Sequence, residues 1–205
     1  PYKYEVTNTS GELKEKFENL ASGGKTEEKT SVAGRILGFR RLGKITFVDI
    51  LDSSGKLQLY FRQDDLGSCY ELLKLYDAGD WVGAKGTLFK TNAGEITVNV
   101  QEFEMLCKSL RPLPEKWHGL KDVEQRYRQR YLDLIISPEV KETFVQRSKI
   151  IDVVRQVLKQ KDYLEVEIPV LEPTYGGAAA RPFKSFLHSL KMDVYLRITK
   201  LNQHV

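Results

Sequence analysis

The sequence has few of the residues that build metal and redox sites. Its 205 residues include two cysteines and three histidines. Cys69 and Cys107 have no cysteine or histidine at the spacing of zinc ligands or redox pairs, so both are expected to be buried, reduced thiols. His118, His188 and His204 have no partner at catalytic or ligand spacing. The sequence therefore predicts neither a catalytic residue nor a metal site.

Long hydrophobic runs are also missing. No stretch approaches the roughly 20 apolar residues of a membrane-spanning helix, and the first residues, PYKYEVTNTS, lack the apolar segment of a signal peptide. We expect a cytoplasmic protein with no membrane partner. The composition, 41% hydrophobic and 29% charged, is typical of soluble proteins, and the net charge of +4 permits a polyanionic partner without requiring one.

The first part of the chain has the pattern of a helix followed by a small β-barrel. Thr9 and Glu12 form a capping box, which predicts a short amphipathic helix. Apolar alternation then predicts five strands, with one helix between the third and the fourth. The expected limits of the strands are 32–39, 45–51, 56–61, 80–90 and 95–106. This order is the layout of an OB-fold barrel, so we expect such a domain over residues 1–110.

The remaining residues predict a linker and a second, mixed domain. The linker, 111–122, contains two prolines and a glycine and has no periodicity. In 123–205, a helix capped by Asp122 is followed by a longer helix that starts at Ser137 and Pro138 and runs to about residue 161. Two strands are expected after it, at 163–168 and 192–198. The chain is therefore predicted to be α+β.

Alternation along the second and third barrel strands predicts which side chains face outwards. In ITFVDIL it places Phe47 and Asp49 on the outer face, and in KLQLYF it places Gln58 and Tyr60 there. In the last barrel strand the alternation changes phase near residues 101 and 102, which predicts a β-bulge. An aromatic ring, an amide and a carboxylate are thus expected on one surface.

Such a surface is suited to bind an unpaired RNA base. The ring would stack on the base, the amide and a carboxylate would bond its edge, and the basic run RILGFRRLGK would meet phosphate. The alternation leaves another interpretation open, in which the N-terminal helix covers Phe47 while Gln58 and Glu102 are solvated.

Three segments resemble the lysyl-tRNA synthetases of class II. They are RYRQRYLDLI (126–135), RSKIIDVVRQVLKQKDYLEVEIPVL (147–171) and YGGAAARPF (175–183). Together with the barrel they cover nearly the whole chain. The resemblance implies a five-stranded OB-fold β-barrel followed by the beginning of an antiparallel α/β catalytic domain. The long helix and the strand after it resemble motif 1, which carries the subunit interface in this family. A homodimer is therefore implied, with these interface residues: Ile151, Val154, Leu158 and Pro169.

The most specific of the three segments is the glycine-rich one. In the lysyl family this backbone lines the amino-acid pocket, so the resemblance implies that Gly176, Gly177 and Ala178 bind lysine. Small side chains let main-chain groups approach a ligand closely. A mobile surface loop is the alternative interpretation of the same residues.

The resemblance also implies that the barrel binds the anticodon of tRNA-Lys. In the family an aromatic ring stacks on the central uridine of the anticodon. The matching positions in this sequence are Arg40, Phe47, Gln58 and Glu102. They overlap with the surface that alternation predicts.

The activity implied by the resemblance is ligation of lysine to tRNA-Lys with ATP and Mg2+. After YLRI the family continues with a segment that holds the substrate amino group, whereas this chain reads TKLNQHV. The two later motifs that bind ATP and magnesium are absent from it. We therefore expect a truncated portion of the ligase that binds the anticodon and is inactive alone. The alternatives are a non-catalytic RNA-binding module and an enzyme that lysylates a translation factor, although relatives of the second kind lack the barrel.

Overall fold

The computed structural model describes residues 3–114, 122–167, 169–174 and 180–198. The chain divides into two compact units, residues 1–136 and residues 137–205. The division falls after the predicted linker, because Ile135 and Ile136 line a cavity together with the segment that follows the barrel. The proposed linker over 111–122 stays a prediction.

The described residues of the first unit form the predicted five strands and four short α-helices. In chain order these are α1 (Ser10–Lys16), β1 (Lys25–Leu42), β2 (Ile45–Leu51), β3 (Lys56–Arg62), α2 (Gln63–Leu66), a 3₁₀ helix (Gly67–Leu75), β4 (Trp81–Lys90), β5 (Ile96–Cys107), α3 (Val123–Arg128) and α4 (Arg130–Ile136). The strands pair in the order β1-β2-β3-β5-β4, and β4 pairs back to β1, which closes a barrel. The α+β class and the five-stranded OB-fold are confirmed.

Alternate residues of the strands form the barrel core. In β2 every second side chain from Thr46 to Ile50 is buried, and in β3 the apolar side chains from Leu57 to Phe61 are buried. The side chains between them are held on the outer face because a strand turns successive residues to opposite sides. The core thus fixes the orientation of the outer face.

The predicted β-bulge lies in β5. Lys85 of β4 pairs with Glu102 and the next residue, Gly86, pairs with Val100, so that Gln101 is the extra residue. Gly86 is required there, since a Cβ atom at this position would lie 1.9 Å from the carbonyl oxygen of Asn99. The bulge explains why the inward-facing positions of β5 change phase.

The N-terminal helix α1 is fixed to the turn between β2 and β3. Its predicted capping box is formed: the Thr9 hydroxyl accepts from the Glu12 N–H, and the Glu12 carboxylate accepts from the Thr9 N–H. Hydrogen bonds with Thr9 lower the pKa of Glu12. The carboxylate of Asp52 accepts from the N–H of Ser10 at 2.6 Å, so α1 is anchored at its first turn.

Three predictions for the first unit need correction. The single helix expected between β3 and β4 is the four-residue α2 followed by the 3₁₀ helix, because Gly67 has a positive φ of 55° that ends α2. The helix capped by Asp122 is broken at Gln129 into α3 and α4. Both cysteines are exposed rather than buried.

The second unit contains one long helix and a small sheet. The helix α5 (Pro138–Gln160) begins with proline in its first turn, as predicted. Three antiparallel strands follow: β6 (Leu171–Glu172), β7 (Lys184–Leu187) and β8 (Met192–Leu196), in the order β6-β8-β7. The Lys184 ammonium group on β7 forms an ion pair with the Asp193 carboxylate on β8 at 2.6 Å, and their hydrogen bond raises the pKa of Lys184.

The strand predicted at 163–168 is wrong over the described residues 163–167, which belong to no strand. Leu164 is 85% exposed and Val166 is 66% exposed, so the alternating pattern has no described strand or core to face. The predicted strand at 192–198 is confirmed from Met192 to Leu196.

A buried carboxylate joins the start of β4 to the end of β5. Asp80 is fully buried and accepts from the N–H groups of Asp77 and Ser109 and from the ammonium group of Lys108, at 2.7–2.8 Å. Burial raises the pKa of Asp80, but these hydrogen bonds, led by that of Lys108, lower it more, so the pKa lies below its ordinary value. Hydrogen bonds to the carboxylates of Asp77 and Asp80 raise the pKa of Lys108.

We predict that Asp80→Asn lowers the free energy of unfolding by about 1–3 kcal/mol, because an acceptor of buried N–H groups is replaced in part by a donor. The pKa of Asp80 is lower in the folded state than in the unfolded state, where an aspartate has a pKa of about 3.9. The carboxylate therefore stabilises the fold above the unfolded-state pKa, and this stability is lost as the pH falls through the folded-state pKa. The difference between parent and variant should therefore shrink in acid. Urea unfolding between pH 7 and pH 2 measures it.

The matched control for Asp80→Asn is Asp64→Asn, which removes an exposed carboxylate paired with Arg62. It should change stability little at any pH. An Asp80→Asn protein as stable as the parent at pH 7 would contradict the structural role of Asp80, as would a difference that stays constant down to pH 2.

Candidate nucleic-acid interface

The outer face of β2, β3 and β4 carries a row of three aromatic rings. Phe47 and Tyr60 are cross-strand neighbours with centroids 5.1 Å apart, and Tyr60 meets the edge of Phe89 at 5.5 Å. All three side chains are half-buried. Phe47 and Tyr60 are directed outwards because Val48 and Leu59 occupy the core, as alternation predicts. Phe47 is accessible, and none of the residues that line its two grooves belongs to α1.

Phe47 separates two grooves. The first groove, about 580 Å³, lies on the side of β3 where the strand begins; it is lined by Arg40, Phe47, Asp49, Lys56, Leu57, Gln58, Thr91, Ala93 and Glu95. The second groove, about 440 Å³, lies on the side of Tyr60 and Phe89. Each groove offers a polar wall next to an aromatic ring, which is the combination that binds an unpaired base.

Gln58 lies in the first groove but is not solvated as predicted. It is 7% exposed, and its Oε1 atom accepts from the Thr97 hydroxyl at 3.1 Å. Its Nε2 atom lies 3.5 Å from the Asp49 carboxylate, to which it donates. The parallel pairing of β3 with β5 places Thr97 beside Gln58 and covers the side chain. The amide is therefore held in one orientation at the groove wall.

Arg40 lies beside Phe47 in the same groove. Its guanidinium is 5.6 Å from the ring centroid and 3.6 Å from the Asp49 carboxylate. The Arg40 and Asp49 side chains are 61% and 45% exposed, so this ion pair is weak and the guanidinium remains available to a phosphate or a base.

Glu102 is not brought into either groove. It lies on β5 after the bulge, 3.9 Å from Lys85, and lines a different groove together with Tyr4, Phe103 and Glu104. The bulge carries β5 away from β3 after Asn99, the last residue that pairs with it. The carboxylates that line the first groove together with Phe47 are those of Asp49 and Glu95.

Sequence reasoning missed Glu95 and the second groove. Glu95 follows the glycine turn between β4 and β5, and no local pattern indicates that this turn approaches β2. Phe89 could have been found, because alternation along β4 buries Val82, Ala84 and Leu88 and leaves the next residue outside. Sequence patterns are thus sufficient to predict the row of aromatic rings, but they do not predict the groove wall that the turn forms.

The other predicted site residues lie in the second unit. Gly176, Gly177 and Ala178 lie outside the described residues. Of the predicted interface residues, Val154, Leu158 and Pro169 are exposed and Ile151 is half-buried. No residue of α5 is buried, although the helix carries seven exposed apolar side chains: Phe144, Val145, Ile150, Val153, Val154, Val157 and Leu158.

The part of the chain that the structure describes has neither a metal site nor a membrane-spanning helix. It contains no group of three or more His, Cys, Asp or Glu side chains that could hold a metal ion. None of its helices is both long and apolar enough to cross a bilayer.

Comparison with known proteins gives two family matches. Residues 30–106 match the OB-fold nucleic acid binding domain, and residues 122–203 match the class II tRNA synthetases (D, K and N). The first match covers most of the barrel and its aromatic row. The second covers α3 to β8.

The chain is similar to proteins named lysine–tRNA ligase. It is 52% identical over 201 residues to that of Carboxydothermus hydrogenoformans and 53% identical over 200 residues to that of Methanoculleus marisnigri. Each alignment covers 97% of this chain and 40% or 39% of the relative. For the Clostridium perfringens protein the identity is 48% over 198 residues, with 96% and 38% covered.

The chain thus spans about 40% of the length of the curated relatives that it matches. The resemblance seen in its sequence motifs is confirmed by both family matches and by these relatives. The chain is thus similar to the class II tRNA synthetases (D, K and N) over residues 122–203, and residues 30–106, ahead of that segment, are similar to the OB-fold nucleic acid binding domain.

Proposed function

We propose that the chain is the tRNA-selecting portion of a lysine–tRNA ligase and that its barrel binds the anticodon of tRNA-Lys. The observation that carries the proposal is the accessible ring of Phe47 between two grooves with polar walls. Relatives about half identical to the chain are named lysine–tRNA ligase, which supports the same substrate. The whole enzyme would act in the cytoplasm.

The barrel residues have separate roles in this proposal. Phe47 stacks on the central uridine, and the amide of Gln58, fixed by Thr97, bonds the edge of that base. Arg40 neutralises a phosphate or stacks beside the base. Glu95 and Asp49 supply acceptors in the same groove, while Glu102 acts on a more distant nucleotide.

ATP, Mg2+ and lysine would be used by the whole ligase. Lysine would react with ATP to give lysyl-adenylate and pyrophosphate, and the lysyl group would then pass to tRNA with release of AMP. Gly176, Gly177 and Ala178 are proposed to contact lysine through their main chain. The described residues do not fit a magnesium site, since they hold no cluster of metal ligands. No step of adenylate formation is assigned to them.

The apolar surface of α5 is proposed to form a homodimer interface. Residues 144, 151, 154 and 158 recur at spacings of seven, three and four, so they lie on one face of the helix. No residue of α5 is buried, so its apolar face is exposed. A contiguous exposed apolar surface of this kind marks an interface with another protein surface. In a two-fold dimer, the α5 face of one copy packs against the same face of a second copy.

Replacing Phe47 by Ala should weaken binding of a tRNA-Lys anticodon stem-loop by about 5- to 150-fold, since one stacking platform worth roughly 1–3 kcal/mol is lost. The measurement is a fluorescence titration of the 205-residue chain. Phe183→Ala is the matched control, because Phe183 is 78% exposed and lies in the second unit. A Phe47→Ala protein that binds as tightly as the control would remove the barrel face from the proposal.

Replacing Gln58 by Leu should weaken binding by roughly 2- to 12-fold for the loop with a central uridine, as expected for one lost hydrogen bond. The loss should be small for a loop in which that base is changed. Glu95→Gln and Glu102→Gln are compared in the same titration, and Glu95→Gln should have the larger effect because Glu95 lines the groove of Phe47. Equal losses for both loops would show that Gln58 supports the barrel without contacting the base.

Replacing Val154 by Lys should turn a dimer into a monomer at tens of micromolar, because a charge is placed in the centre of the apolar face. Gln156→Lys, which adds the same charge on the opposite face of α5, should leave the dimer intact. Sedimentation equilibrium gives both masses. A parent chain that is a stable monomer at these concentrations would refute the homodimer interface.

A further inference from the structure

A part of the barrel surface away from both grooves is covered by the first residues of the chain. Residues 4–8, which we call the N-terminal strap, contact β1 and β4 and lead directly into the cap of α1. None of the strap residues lines either groove beside Phe47. The contacts of the strap therefore call for an explanation other than RNA binding.

The strap occupies an edge of β1 that no described strand covers. On one edge β1 pairs with β4 from Lys25 to Arg35, and on the other edge it pairs with β2 only from Arg35 onwards. Thr7 meets the open edge at Ser31. Its N–H donates to the Ser31 carbonyl oxygen, and its hydroxyl accepts from the Ser31 N–H, both at 2.9 Å. At this residue the strap thus takes the place of a neighbouring strand.

Side-chain hydrogen bonds hold the strap to the same short piece of β1. The Ser31 hydroxyl donates to the carbonyl oxygen of Glu5 at 2.6 Å and lies 3.2 Å from the hydroxyl of Tyr4. The Thr30 hydroxyl donates to the Oδ1 atom of Asn8 at 3.1 Å. Ser31 is 6% exposed and Thr30 is 3% exposed. Both residues are therefore buried polar groups that depend on the strap for partners.

The ring of Tyr4 lies on a glycine of β4. Alternation turns Gly83 outwards, because its neighbours Val82 and Ala84 are in the core. A Cβ atom at Gly83 would lie 2.5 Å from two atoms of the Tyr4 ring. The backbone of Gly83 is not left-handed, so glycine is required there for space and not for conformation. Gly83 is thus a seat that holds the strap in position.

The charge along β1 changes where the strap lies. Glu27, Glu28 and Lys29 are charged, and charged side chains keep an open strand edge from pairing with another chain. Residues 30–34, which read TSVAG, carry no charge. The strap bonds with the first two residues of this uncharged segment. Without the strap, the segment would present unpaired N–H and C=O groups and no charge to repel a second strand.

We propose that the N-terminal strap closes the open edge of β1 and prevents two copies of the chain from pairing through it. When the strap is displaced, the partner is the same segment of β1 in a second copy. In an antiparallel pair with a two-fold axis at Ser31, the N–H and C=O groups of this residue bond with those of its copy. This contact is separate from the apolar face of α5 and does not depend on RNA binding.

The test uses the 205-residue chain with Val154→Lys as the reference, so that the α5 face does not contribute to association. Tyr4→Ala and Thr7→Pro are added together to release the strap, because they empty the seat on Gly83 and remove both hydrogen bonds of Thr7 with Ser31. Hydrogen exchange at Ser31, followed by mass spectrometry, should become roughly 10-fold faster or more. Sedimentation velocity at tens of micromolar should give twice the mass of the reference.

A charge placed on the edge separates edge pairing from association through another surface. Ser31→Lys, added to the released chain, puts an ammonium group on the open edge and should return the mass to that of the reference. Gln156→Lys adds the same charge on α5 and should leave the mass doubled. A released chain that keeps the mass of the reference would overturn the proposal, as would association that persists with Ser31→Lys or unchanged exchange at Ser31.

Gly83→Ala tests the seat without altering the strap, and it decides the matter if a thermal unfolding curve shows that the released chain is not folded. The added methyl group displaces the Tyr4 ring, so exchange at Ser31 and the share of doubled mass should both rise. Gly38→Ala is the matched control, because its added methyl group meets nothing within 4 Å. A Gly83→Ala chain that behaves like the Gly38→Ala chain would refute the strap.

The effect of Gly83→Ala should disappear in a chain that already carries Tyr4→Ala, because the methyl group then has no ring to displace. An equal rise in exchange at Ser31 with and without Tyr4 would show that Gly83→Ala acts on the barrel itself. That result would also refute the seat and, with it, the proposal.

Discussion

The burial of alternate side chains along β2 and β3 is the constraint on which the proposed RNA-binding face depends. Val48 and Leu59 are in the core, and each strand must then direct its remaining residues outwards. Phe47 and Tyr60 are presented by strands that are paired on both sides, so their position does not depend on a loop. A one-residue slip of either strand would bury the rings and expose the core. The same register is therefore required for the fold and for the proposed RNA-binding face.

The face combines a fixed part and an adjustable part. The rings and the Gln58 amide are held by strands and by Thr97. Lys25 and Lys56, in contrast, are exposed cations on long side chains at the rims of the grooves. Recognition of a base edge needs a fixed partner, whereas neutralisation of phosphate needs only charge nearby. The division of residue types between groove wall and groove rim follows these two demands.

Local patterns predicted most of the barrel and the outward position of Phe47, because both depend on alternation within one strand. The burial of Gln58 depends on Thr97 from a strand far along the chain, and the approach of Glu95 depends on how a turn folds over the sheet. Neither has a signal in the local sequence. At residues 163–167 alternation predicts a strand that does not form, because the apolar side chains recur there without any described strand to pair with.

The two units differ in what they need before they are complete. The barrel has closed its hydrogen bonds and its core by Cys107, so it is able to fold while later residues are still being synthesised on the ribosome. The helix α5 leaves the ribosome afterwards with no residue that its own unit buries. During that interval its apolar side chains are available to chaperones and to other nascent chains. Expression of the protein is therefore expected to be limited by the second unit, and slower translation beyond α5 would prolong the exposure.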